Sequence, residues 1–192
     1  MTRLRKAVLC SAAVVVAGAL AGCLSAPPDG APDTARLAGG DVVIGGPRGY
    51  CVDPGTFARG PARTFAVIAS CRKIAGGDDG PVVAPMLVTV TVGAPDTGAA
   101  LPEAPALAAE MGQRMIGGLH RNGLTLTHLA GGGTDVLDDG DPRYWRGTFV
   151  QGGRMVGLAL YAPRDSPLAG SDGAAMLHAI RDRIATLSPQ GG

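Results

Sequence analysis

The sequence predicts an α+β domain, a mostly antiparallel sheet of about six to eight short strands with two helices packed on it. Short apolar or alternating segments, which are typical of strands, recur along most of the chain after residue 40. Two other segments repeat apolar residues at a spacing of three or four, which is typical of helices. Because strands that follow one another in sequence usually lie side by side, this order favours antiparallel pairing.

Four strand segments are predicted in the first half of the domain. Val42 to Ile44 and Tyr50 to Val52 are short apolar runs, and Phe65 to Cys71 places alternate apolar residues on one face. The run from Val82 to Val92 alternates valine with threonine in its second part, which favours a strand. Pro85 has no amide hydrogen to donate, so we expect the strand to begin just after it.

A helix is predicted after these strands. Its evidence is a four-residue repeat of apolar side chains at Leu107, Met111, Met115 and Leu119. The pair Asn122 and Gly123 is typical of residues that end a helix, so we expect the helix to stop there.

The last part of the domain predicts three strands and a second helix. Leu124 to Leu129 is an apolar strand, and Tyr144 to Val150 and Met155 to Ala162 flank a glycine turn that favours a hairpin. The helix begins at Ser166 or at Ser171, since serine is a good cap at either position. The apolar stripe of this helix consists of Leu177, Ile180, Ile184 and Leu187.

The N-terminus has the composition of a secretory signal. Three basic residues, Arg3, Arg5 and Lys6, precede an apolar body from Ala7 to Leu20. The body has 14 residues, whereas a spanning helix needs about 20. A cleaved signal is therefore predicted rather than an anchor helix.

The end of the apolar body, Leu20-Ala21-Gly22-Cys23, resembles the lipobox of bacterial lipoproteins. The resemblance implies that residues 1–22 are removed as a signal peptide and that Cys23 carries diacylglycerol and further acyl chains such as palmitate. Leu24 is not the aspartate that retains lipoproteins at the inner membrane of enteric bacteria, so the resemblance implies the outer membrane, facing the periplasm. The alternative is an ordinary signal that happens to contain a cysteine.

Two further resemblances concern the folded part. Its element order resembles the Mog1/PsbP-like fold, an antiparallel sheet flanked by helices. The string from Gly46 to Pro54, followed by Phe65 to Cys71, resembles small envelope lipoproteins of Gram-negative bacteria that have no assigned activity. These resemblances imply a location and an architecture but no reaction.

The domain boundaries follow from composition. Residues 23–40 comprise the lipidated cysteine and a flexible tether with three prolines and no apolar period, and the 17 residues from Leu24 span about 55 to 60 Å when fully extended. Residues 41–187 are predicted to form a single domain, and residues 188–192 a disordered tail. The tether is expected to hold the domain away from the bilayer.

Charge and cysteine usage restrict the partners and the compartment. The signal contains three of the 17 basic residues and none of the 16 acidic ones, so the mature chain is near neutral, which argues against nucleic acid as a partner. Cys51 and Cys71 remain as an even pair after removal of Cys10 and lipidation of Cys23, and in an exported chain such a pair most often forms a disulfide. The alternatives are two buried thiols, or a reactive thiol at Cys51 beside Arg48.

No catalytic, metal-binding or cofactor-binding set is predicted. Ser171 lies outside the Gly-x-Ser-x-Gly spacing of a hydrolase, and Ser70 falls within a predicted strand. His120, His128 and His178 are scattered over two predicted helices and a strand. Tyr144 and Trp145 are neighbours on a strand, so their rings point to opposite faces and one of them is expected in the core.

The acidic segment near residue 140 has two interpretations. Its carboxylates, Asp135, Asp138, Asp139 and Asp141, offer oxygen ligands for a cation such as calcium, but they lack the spacing of an EF-hand loop. Asp-Gly and Asp-Pro pairs are also common turn formers, and a turn is the preferred interpretation.

Two functions therefore remain open. The first is a non-catalytic binding or accessory module that is anchored to the membrane through Cys23 and contacts another envelope protein or a small ligand. The second is an envelope hydrolase or transferase with an active site that the sequence does not reveal. The first is preferred because no nucleophile, base or metal set is identified.

Overall fold

The computed structural model describes residues 30–56, 64–78, 80–97 and 100–189. The signal, Cys23 and the first part of the tether lie outside these ranges, so their assignment stays a prediction. Within the described residues, nine strands and three α-helices are present. The strands are β1 (Thr34–Leu37), β2 (Val42–Gly45), β3 (Tyr50–Val52), β4 (Phe65–Ser70), β5 (Leu87–Val92), β6 (Met115–Arg121), β7 (Leu124–Leu129), β8 (Tyr144–Gln151) and β9 (Arg154–Tyr161). The helices are α1 (Cys71–Ala75), α2 (Ala104–Glu110) and α3 (Ser171–Leu187).

Seven of these strands form one antiparallel sheet in the order β3-β4-β5-β9-β8-β7-β6, and β1 and β2 form a separate antiparallel hairpin. Every neighbouring pair in the large sheet is antiparallel. The α+β class and the antiparallel sheet are therefore confirmed. The described part has more strands and one more helix than expected. The strand β1 comes from the segment interpreted as tether, and β6 comes from the segment interpreted as helix. The additional helix, α1, is a short turn of helix after β4.

The main core lies between the large sheet, α3 and the β1–β2 hairpin. Alternation along β5 places Val88, Val90 and Val92 on this side, each buried, as the valine and threonine pattern predicts. The helix α3 contributes Leu177 and Ile180, both fully buried. Of the two alternative starts, Ser171 is the first residue of α3. Ser166 instead caps the short 3₁₀ turn Pro167–Ala169 by accepting a hydrogen bond from the amide of Leu168 at 3.3 Å.

The predicted helix through Met115 and Leu119 is wrong in its second half, where the chain forms β6 instead. Asn122 and Gly123 do not end a helix. Both have positive φ angles, 51° and 71°, and they form the two-residue turn that joins β6 to β7. His120 therefore lies on a strand. The structural reason is the pairing with β7, in which Leu119 lies opposite Leu126.

Both predicted boundaries of the domain require correction. Thr34–Leu37 was expected to belong to the flexible tether, but it pairs with β2, and Leu37 is fully buried. At the other end, Ser188 was assigned to a disordered tail, yet it is buried and its hydroxyl accepts a hydrogen bond from the amide of Val43 at 2.9 Å. The folded part therefore includes Thr34 and Ser188.

The second face of the large sheet is covered by α2 above β6 and β7. Gly118 on β6 allows this approach, because a Cβ at that position would lie 2.8 Å from the Cβ of Ala104 at the start of α2. On the same face, Tyr144 and Tyr161 stack with ring centroids 5.0 Å apart. Ala108 of α2 belongs to the same buried cluster as these two rings, so this cluster attaches α2 to the sheet.

Candidate functional site

The predicted disulfide is confirmed, because the Sγ atoms of Cys51 and Cys71 are bonded and their Cα atoms are 4.8 Å apart. The strand that was predicted to end at Cys71 ends one residue earlier, at Ser70. Cys51 on β3 lies opposite Ala69, and Cys71 is the first residue of α1, so the bond joins β3 to the helix that follows β4. A carboxylate oxygen of Asp33 lies 3.4 Å from Sγ of Cys51. Although these three side chains are clustered, bonded sulfurs are not thiolates, so the oxidised cluster is not a metal site.

His128 is held by contacts on the face and at the edge of its ring. The ring of His128 stacks on Trp145 with centroids 4.3 Å apart, and its Nε2–H donates to the carbonyl of Ala169 at 2.8 Å. The indole N–H of Trp145 donates to the carbonyl of Gly170 at 2.7 Å. Burial lowers the pKa of His128, which favours its neutral form. Together these contacts attach the segment before α3 to the sheet.

The other two histidines lie apart from His128. His120 is on β6, where its Nδ1 is 2.9 Å from the hydroxyl of Thr125. His178 is on α3, and burial together with the nearby Arg181 lowers its pKa. In the part of the chain that the structure describes, no serine hydroxyl is hydrogen-bonded to a histidine. The geometry therefore supplies no serine nucleophile with a histidine base.

The acidic segment forms a turn, as preferred from the sequence. Asp141 is buried, and its carboxylate accepts hydrogen bonds from the backbone amide, Nε and Nη2 of Arg143 at 2.8 to 2.9 Å. The hydrogen bonds from Arg143 hold the pKa of Asp141 well below its usual range. Asp135, Asp138 and Asp139 are exposed, and within the described residues these acids do not converge on one point. The segment thus has no arrangement suited to calcium.

The aromatic neighbours Tyr144 and Trp145 lie on opposite faces of β8, as predicted, and both are buried. Tyr144 packs on the α2 side, where Arg146 donates from Nη1 to the sulfur of Met111 at 2.9 Å. Neither ring offers an exposed contact surface.

The edge strand β6 is the most unusual surface of the described part. Six large apolar side chains are exposed in the described residues, and three of them, Met115, Ile116 and Leu119, are on β6 with exposed fractions of 36 to 40%. An edge strand also presents backbone donors and acceptors that have no partner strand. Exposed apolar side chains on an open edge are features of a surface that binds another strand.

The backbone of β6 has a defined set of outward groups. The turn at Asn122 and Gly123 makes Arg121 and Leu124 a hydrogen-bonded pair, so hydrogen-bonded and non-hydrogen-bonded pairs alternate from there. Gly118 and His120 fall in the non-hydrogen-bonded class, and their N–H and C=O groups point away from β7. The close side-chain contact of His120 with Thr125 agrees with this class, in which opposite side chains are nearer.

A groove of about 230 Å³ lies beside this edge, between β6 and the start of α2. Ala104 and Pro105 form one wall, and Gly118 and His120 form the other. The side chains of a strand paired with β6 point alternately to the two faces of the sheet, so those on the α2 side enter this groove. Edge and groove together are the candidate binding site.

Sequence reasoning missed this site because it assigned Met115 and Leu119 to a helix. The signals that identify it are the adjacent glycines Gly117 and Gly118, which disfavour a helix, and the Asn122-Gly123 pair, which is a strong hairpin signal.

Comparison of the chain with protein-family models and with curated protein sequences yields no match. The evidence for its function therefore lies in its own sequence and geometry.

Proposed function

We propose that this protein is a lipid-anchored, non-catalytic envelope module that binds an extended segment of another protein along β6. The observation that carries the proposal is the combination of outward backbone groups at Gly118 and His120 with the exposed apolar side chains of the same strand. Main-chain hydrogen bonds to an added strand supply affinity, and the groove beside α2 supplies selectivity.

The anchor in this proposal is Cys23, with the protein at the outer membrane and facing the periplasm. The Leu-Ala-Gly-Cys string and the basic, apolar head before it support the anchor, and the disulfide is compatible with an oxidising compartment. None of the helices in the described residues has the length and apolar character needed to span a bilayer. Two or three acyl chains are sufficient for stable attachment.

The charges around β6 indicate the chemistry of the partner segment. Arg114 precedes the strand and Arg121 ends it, and within the described ranges neither has an ion-pair partner. Antiparallel pairing of two copies of β6 would bring Arg121 of each copy near Arg114 of the other, and like charges across a strand pair are destabilising. The edge is therefore suited to an extended segment with apolar and acidic residues rather than to a second copy.

A pair of variants at His120 tests the proposal. His120→Pro removes one outward N–H, and proline is tolerated on an edge strand. His120→Val also removes the imidazole ring but keeps the backbone N–H, so it is the matched control. The probe is a capped peptide that alternates valine and glutamate, and its binding is measured by fluorescence polarisation with the lipidated chain in detergent.

The expected result is that the valine variant binds the probe and the proline variant binds it at least about tenfold more weakly, because one main-chain hydrogen bond is lost and the added strand is displaced. A peptide that alternates valine and lysine should bind more weakly than the glutamate peptide. Equal binding by the proline and valine variants would reject β6 as the site. If the wild type dimerises and the proline variant does not, the strand that pairs with β6 is a second copy of this chain rather than a segment of another protein.

A further inference from the structure

The tether is much shorter than its composition indicates. The carbonyl of Pro32 accepts a hydrogen bond from the amide of Val52 on β3 at 2.8 Å, so the chain is attached to the sheet from that point. Only nine residue steps separate Cys23 from Pro32, a reach of about 30 Å at full extension. On the proposed lipidation of Cys23, the corner of the sheet near β3 therefore stays close to the bilayer.

Two depressions lie at this corner, and the turn between β2 and β3 lines the first of them. One, of about 360 Å³, is lined by Asp33, Arg48 and Arg183. The other, of about 530 Å³, is lined by residues of α1 and of the segment before β5. The turn connects them, because Gly49 accepts a hydrogen bond from the amide of Cys71 at 3.0 Å and packs closely on Val83.

The corner carries cations that have no ion-pair partner within the described residues, namely Arg48, Lys73 and Arg183. Arg72 is different, because its guanidinium pairs with Asp78 at 2.6 Å. The remaining acids of these segments are Asp33, in the first depression, and Asp79, which lies outside the described residues. Among the described residues of these segments, three cations therefore lack an ion pair, and Asp33 is the acid left to oppose them.

An apolar side chain stands among these charges. Val82 has an exposed fraction of 81%, the largest among the exposed large apolar residues of the described part. It lies on the rim of the second depression, together with Lys73. A cationic surface with a protruding apolar residue is suited to a lipid interface, where the cation meets anionic headgroups and the apolar group enters between them.

We propose that this corner, defined by Arg48, Lys73, Val82 and Arg183, docks on anionic phospholipid headgroups of the membrane that holds Cys23. The inference rests on the proposed lipid anchor and goes beyond it, because it assigns an orientation to the domain. The disulfide joins β3 to α1 and so keeps the two depressions in one arrangement. The binding edge β6 then lies six strand spacings from β3, about 28 Å across the sheet.

Hydrogen exchange of the full lipidated chain in vesicles tests this docking. The vesicles are phosphatidylcholine alone, or phosphatidylcholine with about one third phosphatidylglycerol. Amides of residues 71–84 should exchange several-fold more slowly in the anionic vesicles, and high salt should remove the difference. Lys73→Glu should remove most of this protection, because it reverses a charge at the anionic surface. Arg164→Glu, a charge reversal at another exposed arginine, is the matched control and should keep the protection.

The outcomes separate docking from anchoring, because intact mass reports the acyl chains on the same sample. Acylated protein whose residues 71–84 exchange equally in both kinds of vesicle would overturn the docking and leave the anchor in place. Equal loss of protection in Lys73→Glu and Arg164→Glu would also overturn it. If inorganic phosphate slows the same amides as strongly as anionic vesicles do, the corner binds a free anion and membrane docking is rejected. A mass without acyl chains would instead reject the proposed anchor.

Discussion

Removal of the disulfide by the double replacement Cys51→Ala and Cys71→Ala is expected to lower the free energy of unfolding by about 3 to 4 kcal/mol. The bond joins residues with a sequence separation of 20, and closing a loop of this length removes chain entropy worth about 3 kcal/mol from the unfolded state. Cys51 is only 2% exposed, so loss of its sulfur from the interior adds up to about 1 kcal/mol. The total is a large share of the stability of a typical domain.

Urea unfolding measures this loss, and the wild type with its disulfide reduced is the matched control. Reduction removes the same cross-link but keeps both sulfur atoms, so it should cost about 3 kcal/mol, slightly less than the double replacement. The free energy of unfolding should depend less steeply on urea concentration in the oxidised than in the reduced protein, because the oxidised unfolded state is more compact. If reduced and oxidised wild type unfold at the same urea concentration, the loop-entropy reasoning is wrong.

Three further predictions concern single side chains. The pKa of Asp141 is lower in the folded than in the unfolded chain, so its stabilising effect is complete above about pH 4 and is lost on further acidification. Asp141→Asn should therefore lower the free energy of unfolding at pH 7 by about 1 to 3 kcal/mol. It should also weaken the fall of this free energy with pH below about pH 4, and an unchanged pH dependence would contradict the prediction. The buried hydroxyl of Thr148 has no hydrogen-bond partner in the described structure, so Thr148→Val should leave the melting temperature unchanged or raise it. Thr125→Val loses the contact with His120 and should lower the melting temperature. Equal effects of the two replacements would refute this distinction. Cys23→Ser should release the protein from membranes or stall the precursor, and recovery of an unlipidated wild type in fractionation would refute the anchor.

The elements that the sequence predicted well are those whose evidence is local. The β8–β9 hairpin was expected at Tyr144 to Val150 and Met155 to Ala162, and it runs from Tyr144 to Gln151 and from Arg154 to Tyr161. A glycine turn between two apolar strands determines this hairpin without help from the rest of the chain.

The error at β6 has a geometric cause. A spacing of four residues places Met111, Met115 and Leu119 on one face of a helix, but an even spacing also places residues on one face of a regular strand. The apolar pattern therefore did not distinguish the two structures. Pairing with β7 decides between them, and that depends on the Asn122-Gly123 turn.

The strand β1 was missed for a different reason, since nothing in its own composition favours a strand. Thr34–Leu37 is ordered by its pairing with β2 and by burial of Leu37 in the main core. The contact of Asp33 with the disulfide arises from the same long-range packing. Contacts between distant segments cannot be obtained from local propensity, and for that reason the sequence overestimated the length of the tether.

The two edges of the large sheet differ in a way that links the proposals. The edge strand β3 has three residues, and the chain itself protects it, through the hydrogen bond from Val52 to Pro32 and through the disulfide at Cys51. The edge strand β6 has seven residues, is exposed along its length and carries three apolar side chains. Because an open apolar edge favours aggregation, proteins usually cover it or place charges on it. Here Arg114 and Arg121 at the two ends oppose pairing between copies, and the proposed binding of an acidic segment gives a reason for leaving the edge open.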